Sequence, residues 1–306
     1  MLRPKGLKFG DRLGLISPAS PTSKENVEKA YKQLMKMGFK VEVGESCYEE
    51  YGYLAGSDKS RAEELNNMFE DENIDGIICM RGGYGTPRIL ELLDYEAIKN
   101  NPKVFIGYSD ITALHIAINQ KSNLVTFHGP MVASNMIEDF DDFSKNSLYN
   151  SVLENNLIGE LVNPPEEEIE IINGGIAEGK IIGGNLCLLA DTLGTPYEID
   201  TKGKILFIEE IGEEPYCIDR MFTQLRLAGK FKDASGIILG DFNNCEAKTS
   251  EYADSLSLRQ VIKDIIKPLG KPTIYNFQSG HCQPMITIPF GIKAKLDATN
   301  RQLIIN

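Results

Sequence analysis

Residues 12 to 128 switch repeatedly from a short apolar run to a helical stripe and back. Arg12 to Ala19 reads as a buried strand that ends in Ser-Pro. Thr22 or Ser23 can cap the following helix, in which Val27, Ala30, Tyr31, Leu34 and Met35 recur at helical spacing, and Gly38 ends it. The same reading gives strands at Phe39–Val43, Gly76–Met80, Val104–Tyr108 and Val125–His128, with helices at Asp58–Phe69, Pro87–Leu93 and Ile111–Asn119. Such alternation predicts an α/β fold whose N-terminal sheet is mainly parallel, with helices on both faces. Ligand sites in such sheets lie at the carboxyl ends of the strands. Three loops belong to that edge: Ser17–Ser20, Arg81–Gly85 and Gly107–Asp110.

The alternation stops near residue 135. Residues 136–170 are rich in Asp, Glu, Asn and Ser and read as a linker, with room for a short helix. Residues 171–306 mix glycine-punctuated strands at Ile181–Gly184, Ile205–Ile208 and Gly236–Gly240 with helices near Leu186–Leu193, Ile218–Leu227 and Leu256–Ile266. Short antiparallel strands are expected from Thr287 onward. The expected organisation is therefore an N-terminal α/β domain over 1–135 and a second, mixed α/β domain over 171–306. A formal net charge of −12 excludes the basic surface that nucleic-acid binding needs. No apolar stretch is long enough to cross a bilayer, and the N-terminus has no signal-peptide pattern, so a cytoplasmic chain is expected. The six cysteines lie far apart without C-x-x-C spacing, and buried free thiols are the expectation rather than disulfides or a zinc site.

The chemistry concentrates at Gly107-Tyr108-Ser109-Asp110. A serine on a sharp strand-to-helix turn exposes its hydroxyl and aims the next backbone N–H at the group it attacks. Ser109 is thus a candidate nucleophile, although a plain helix cap has the same appearance. A serine needs a base. His115 falls within the helix that follows and suits a structural role. His128 ends a strand and could either reach the sheet edge or be packed. His281, in a glycine-containing loop after Thr273–Phe277, suits a base presented at a cleft, or a solvated loop residue. Glu209 and Glu210 end an apolar strand, and strand alternation sends them to opposite faces, so one of them can orient an imidazole. Asp110 N–H and the Arg81–Gly85 loop offer donors for an oxyanion. The glycine loop could alternatively cradle a phosphate, but it lacks the Walker lysine.

Together these segments resemble the LD-carboxypeptidase family of serine peptidases, which includes murein tetrapeptide carboxypeptidases and microcin C immunity proteins. The resemblance rests on Gly10-Asp11-Arg12, Ser17–Ser20, Arg81–Gly85, Gly107–Asp110 and His128-Gly129-Pro130. It continues through Gly183–Leu186, Leu206–Glu210, Ile218–Met221 and Gly280-His281, in family order over nearly the whole chain. It implies a triad of Ser109, Glu209 and His281, with Gly83 and Asp110 as oxyanion donors and the serine and its base on different domains. Glu210 stands where the family often has Asp. The resemblance also implies no metal, no cofactor, a homodimer and a small peptide substrate, with hydrolysis of the bond between an L-diamino acid and a terminal D-Ala in murein tetrapeptides. The alternatives are an immunity-type hydrolase of aminoacyl-adenylate mimics, which needs an aromatic surface to stack adenine, and a catalytically silent two-domain binding protein. The absence of tryptophan and the little room that 306 residues leave for an added nucleotide-binding loop favour the murein reading modestly, since Tyr or Phe could substitute.

Overall fold

A computed structural model describes residues 1–154, 159–247 and 255–305. The first stretch carries β1 (Arg12–Ile16), α1 (Lys24–Lys36), β2 (Lys40–Val43), α2 (Asp58–Glu70), β3 (Gly76–Cys79), α3 (Tyr95–Asn100), β4 (Val104–Gly107), α4 (Thr112–Lys121), β5 (Thr126–His128) and α5 (Asp142–Val152). Next come β6 (Glu160–Leu161), β7 (Glu170–Asn173), β8 (Ile176–Asn185), α6 (Leu186–Asp191), β9 (Ile205–Ile211), α7 (Pro215–Leu227), α8 (Lys230–Asp233) and β10 (Gly236–Asn243). The chain closes with α9 (Leu258–Ile265), β11 (Thr273–Tyr275), β12 (Ile288–Phe290), β13 (Lys293–Asp297) and β14 (Gln302–Ile305).

These elements form two compact units. Each is an α/β layer structure with a mixed sheet flanked by helices, as the alternation predicts. The described residues of the first unit are 1–154 and 287–291. The stretch expected as a linker therefore carries a capped helix, α5, whose Asp141 accepts from Ser144 N at 2.8 Å. The five residues Thr287–Gly291 also belong with the first unit, because β12 pairs with β5 and forms the edge of its sheet.

The first sheet has the order β12-β5-β4-β3-β1-β2. Strands β1 to β5 are parallel and β12 is antiparallel to β5. The central strands are solid apolar runs, and β3 and β4 are buried at every residue. The order reverses direction between β1 and β3, and a switch point of this kind opens a crevice at the carboxyl edge. Ser23 caps α1 by accepting from Asn26 N at 3.2 Å. Only Val27, Ala30 and Leu34 of the expected stripe are buried, while Tyr31 and Met35 are exposed. Pro87–Leu93 is a 3-10 segment, Thr86–Leu92, rather than an α-helix.

The second sheet has the order β6-β14-β13-β8-β9-β10-β11-β7. Four parallel strands, β8 to β11, form its centre, and antiparallel strands close both edges. Ile205, Leu206, Phe207 and Ile208 are fully buried there. They carry Glu209 and Glu210 to the carboxyl edge of a central strand.

Candidate active site

In the first unit, β4 runs out at Gly107 and Tyr108 remains extended. Ser109 then turns at φ 63°, and a 3-10 turn over Ser109–Ile111 leads into α4. A serine at positive φ carries roughly 1–3 kcal/mol of backbone strain, which the surrounding contacts must hold. His115, fully buried on α4, donates from Nε2 to the Gly107 carbonyl at 2.8 Å. Burial depresses its pKa to about 4, so the ring is neutral and structural. His128 is fully buried as well, with its ring 5.2 Å from that of Phe290. Both are packed histidines.

The glycine loop passes directly over the elbow. A Cβ placed on Gly82 would lie 3.1 Å from Ser109 Oγ. Gly83 has φ +114°, and its Cβ would meet Ser20 Oγ at 2.3 Å, so the position admits only glycine. Ser20 Oγ in turn accepts from Tyr84 N at 3.1 Å. Asp110 is buried and ties the elbow to the far end of the same loop. Its Oδ2 accepts from Thr86 N at 2.8 Å, and its carbonyl accepts from the Thr86 hydroxyl. Burial raises the Asp110 pKa, and the Thr86 bonds work against that rise. The carboxylate thus serves as scaffold, and the Asp110 N–H lies next to Ser109.

In the second unit, Glu209 is completely buried and its Oε2 lies 2.6 Å from His281 Nδ1. A carboxylate at that distance requires a proton on Nδ1, which leaves the basic lone pair of a neutral ring on Nε2. His281 is 13% exposed, so it is not a solvated loop residue. Burial works against its charged form, but the Glu209 charge and hydrogen bond outweigh it and raise the pKa. Gly280 has φ +119°, and a Cβ there would meet Glu209 Cβ at 2.8 Å. Glycine is what lets the loop close onto the acid. Asn243 Nδ2 holds the His281 carbonyl at 2.6 Å, and Asp241 N donates to Ser279 O at 3.1 Å.

Glu210 faces the other way, as strand alternation requires. It is buried rather than at a surface, and it accepts from Asn185 Nδ2, Cys187 N and Ile211 N, each at 2.8 Å. Burial, followed by the Glu209 charge, pushes its pKa to about 7. Sequence reasoning misses Asp241 as part of this group. Burial and then Glu209 push its pKa to about 6. Its sequence signal is the same as that of Glu209, a carboxylate ending an apolar parallel strand. All six cysteines are free thiols. Among the described residues no cluster of metal-ligating side chains occurs, and no helix is long and apolar enough to cross a membrane.

The first unit thus offers a strained serine at the end of a parallel strand, under a glycine loop, and the second a histidine bonded to a buried glutamate, groups of the kind that acyl-transfer hydrolases use. Comparison with known proteins agrees with that class. Residues 13–129 match the LD-carboxypeptidase N-terminal domain and residues 178–296 the LD-carboxypeptidase C-terminal domain. The chain belongs to the LD-carboxypeptidase family of serine hydrolases. It is 44% identical over 305 residues to a probable murein peptide carboxypeptidase of Bacillus subtilis, covering 99% of this chain and 94% of that protein. Among solved structures it is similar to the microcin C7 self-immunity protein MccF in complex with aspartyl sulfamoyl adenosine. There the TM-score is 0.92 at 28% identity, over 100% of this chain and 98% of that one. It also resembles a muramoyltetrapeptide carboxypeptidase from Oxalobacter formigenes, with TM-score 0.82 at 26% identity over 96% and 97% of the two chains.

Proposed function

We propose that this chain hydrolyses an acyl–nitrogen bond with Ser109 as nucleophile, His281 as base and Glu209 as the acid that orients it. The single observation that carries this reading is the 2.6 Å bond from His281 Nδ1 to the buried Glu209, which prepares Nε2 to take a proton. In the proposed reaction His281 removes the Ser109 proton and Ser109 attacks the carbonyl carbon. The N–H groups of Asp110 and Gly83 hold the oxyanion. His281 then protonates the departing nitrogen, and water releases the acyl group from Ser109. A silent binding protein would have no use for a strained serine or for an imidazole bonded to a buried acid.

Two substrates fit this chemistry. Structural likeness gives better support to an aminoacyl-nucleotide mimic, since the immunity protein superposes at TM-score 0.92 and the muramoyltetrapeptide enzyme at 0.82. The missing tryptophan is no obstacle. Tyr53 and Tyr84 are both exposed and lie ring to ring at 5.8 Å, one residue beyond Gly83, so an aromatic face for a base is available. The murein tetrapeptide reading is supported by the 44% identical relative. We place the enzyme in the cytoplasm, as a homodimer, under either reading.

One assay separates the two. The enzyme is incubated with aspartyl sulfamoyl adenosine and with murein tetrapeptide, and products are read by mass spectrometry against Ser109→Ala. Release of aspartate at the higher kcat/KM selects the immunity-type activity. Release of D-Ala selects the carboxypeptidase. Turnover of both by Ser109→Ala would sink the scheme itself.

A further inference from the structure

Arg61 reads in sequence as one more charge on an amphipathic helix, yet its side chain is completely buried. It sits in the first turns of α2 and points under the carboxyl edge of the first sheet. Nη1 donates to the Gly85 carbonyl at 3.0 Å and also to the Pro18 carbonyl. Nη2 is fixed to Asp58 Oδ1 at 2.6 Å, and Asp58 is shared with Arg88 at 2.8 Å. Gly85 carries no Cβ where one would lie 2.8 Å from Nη1, which leaves the guanidinium its approach.

Burying a guanidinium is costly, and an apolar side chain would fill this space more cheaply. What an apolar side chain cannot do is hold two carbonyls from two different loops. Pro18 belongs to the turn that supplies Ser20, and Gly85 ends the loop that contains Gly83. The two loops meet where Ser20 Oγ accepts from Tyr84 N. On the far side, Thr86 is bonded to Asp110. The guanidinium therefore sets the spacing of both strands of backbone that flank Gly83.

We infer that Arg61 is a positioning residue, clamping the Pro18 and Gly85 carbonyls so that the Gly83 N–H stays aimed at the oxyanion formed on attack by Ser109. This rests on the proposed reading of Gly83 and Asp110 as oxyanion donors. The clamp acts on the transition state and not on ground-state binding, because a misaimed donor costs most where charge develops.

The test is Arg61→Lys, with Arg61→Met and Asp58→Asn beside it. An ammonium is a single point donor and cannot reproduce the fork. Each variant is assayed on whichever of aspartyl sulfamoyl adenosine or murein tetrapeptide the wild type turns over, at a temperature where circular dichroism shows it native. For Arg61→Lys, kcat should fall roughly 10- to 100-fold with KM within about threefold. Asp58→Asn, which keeps the guanidinium but loosens its anchor, should give a smaller fall in the same direction and serves if Arg61→Met does not fold. A native Arg61→Lys with kcat within about twofold of wild type, whatever its loss of Tm, overturns the inference. Should the wild type act on neither substrate, the proposed substrates fail but the clamp is still read. The rate of Ser109 labelling by a fluorophosphonate, which also builds charge on an oxygen, should then fall by a similar factor in Arg61→Lys.

Discussion

At the residue scale the strain on Ser109 makes a separable prediction. Alanine keeps a Cβ and the φ of 63° costs it what it costs serine, whereas glycine occupies that region freely. Ser109→Ala and Ser109→Gly should both lose activity by about three orders of magnitude or more. Ser109→Gly should nevertheless be the more stable of the two, by about 1 kcal/mol in urea unfolding. Equal stabilities would mean the turn is not strained. The two glutamates separate in the same way. Glu209 meets His281, while Glu210 satisfies Asn185 and the Cys187 N–H. Glu209→Gln should lower kcat strongly with little change in KM, and Glu210→Gln should act mainly on stability. The pH profile gives a second readout. As the proposed base, His281 must be neutral to accept a proton, and Glu209 holds its pKa above the ordinary 6.5 against the effect of burial. The acid limb of kcat/KM should therefore turn above pH 6.5 in the wild type and move to lower pH in Glu209→Gln. A limb that stays in place would detach Glu209 from the base.

At the scale of elements, α4 carries a pH-dependent component of stability through His115. Its folded pKa is about 4 against 6.5 unfolded. Between those values the unfolded chain binds a proton that the folded chain refuses. Stability is thus present above pH 6.5 and is lost as pH falls toward about 4, up to about 3 kcal/mol in all. His115→Gln removes that dependence, so the stability gap between wild type and variant should narrow as pH falls through this window. A constant gap would contradict the buried neutral ring. The element itself was legible, since Ile111–Asn119 reads as a helix and the structure has Thr112–Lys121. So were most βα units, because apolar runs and caps are local signals. What sequence did not show follows from contacts made at a distance. α3 is a six-residue helix with one buried side chain, Ile98, too short for a periodic stripe. β6 and β7 lie at sheet edges in a polar stretch, so no alternation marks them. Of the site, Ser109, Glu209 and His281 each stand at the end of a readable strand or in the loop after one. Asp241 carries the same strand-end signal as Glu209 and could have been found by it, whereas Arg61 could not be read, because burial of a charge depends on loops that only the fold assembles.

At the scale of the whole molecule the chain leaves the first unit after α5 and returns to it for a single strand. Ile288 pairs with His128, Pro289 with Phe127 and Phe290 with Thr126. Thr287 N donates to Ser147 Oγ of α5 at 2.9 Å, which fixes where the strand enters. Phe290 is fully buried, with its ring 5.2 Å from His128 and 5.6 Å from His115, the residue that tethers the elbow through Gly107. A sheet that borrows its edge strand from over a hundred residues downstream is not complete when the first unit has been made. Without β12, the backbone of β5 is an open edge and an aromatic side is missing from the histidine pair. A fragment ending at residue 154 should therefore fail to reach the native state, giving reduced far-UV ellipticity and a tendency to associate. In the full chain, Phe290→Ala should cost about 3–5 kcal/mol in urea unfolding, the usual penalty for emptying a buried aromatic site. Because the cavity opens beside His115, the same variant should slow fluorophosphonate labelling of Ser109 even where circular dichroism shows it fully folded. A fragment of residues 1–154 that unfolds cooperatively with the stability of the intact chain would show that the returning strand is dispensable.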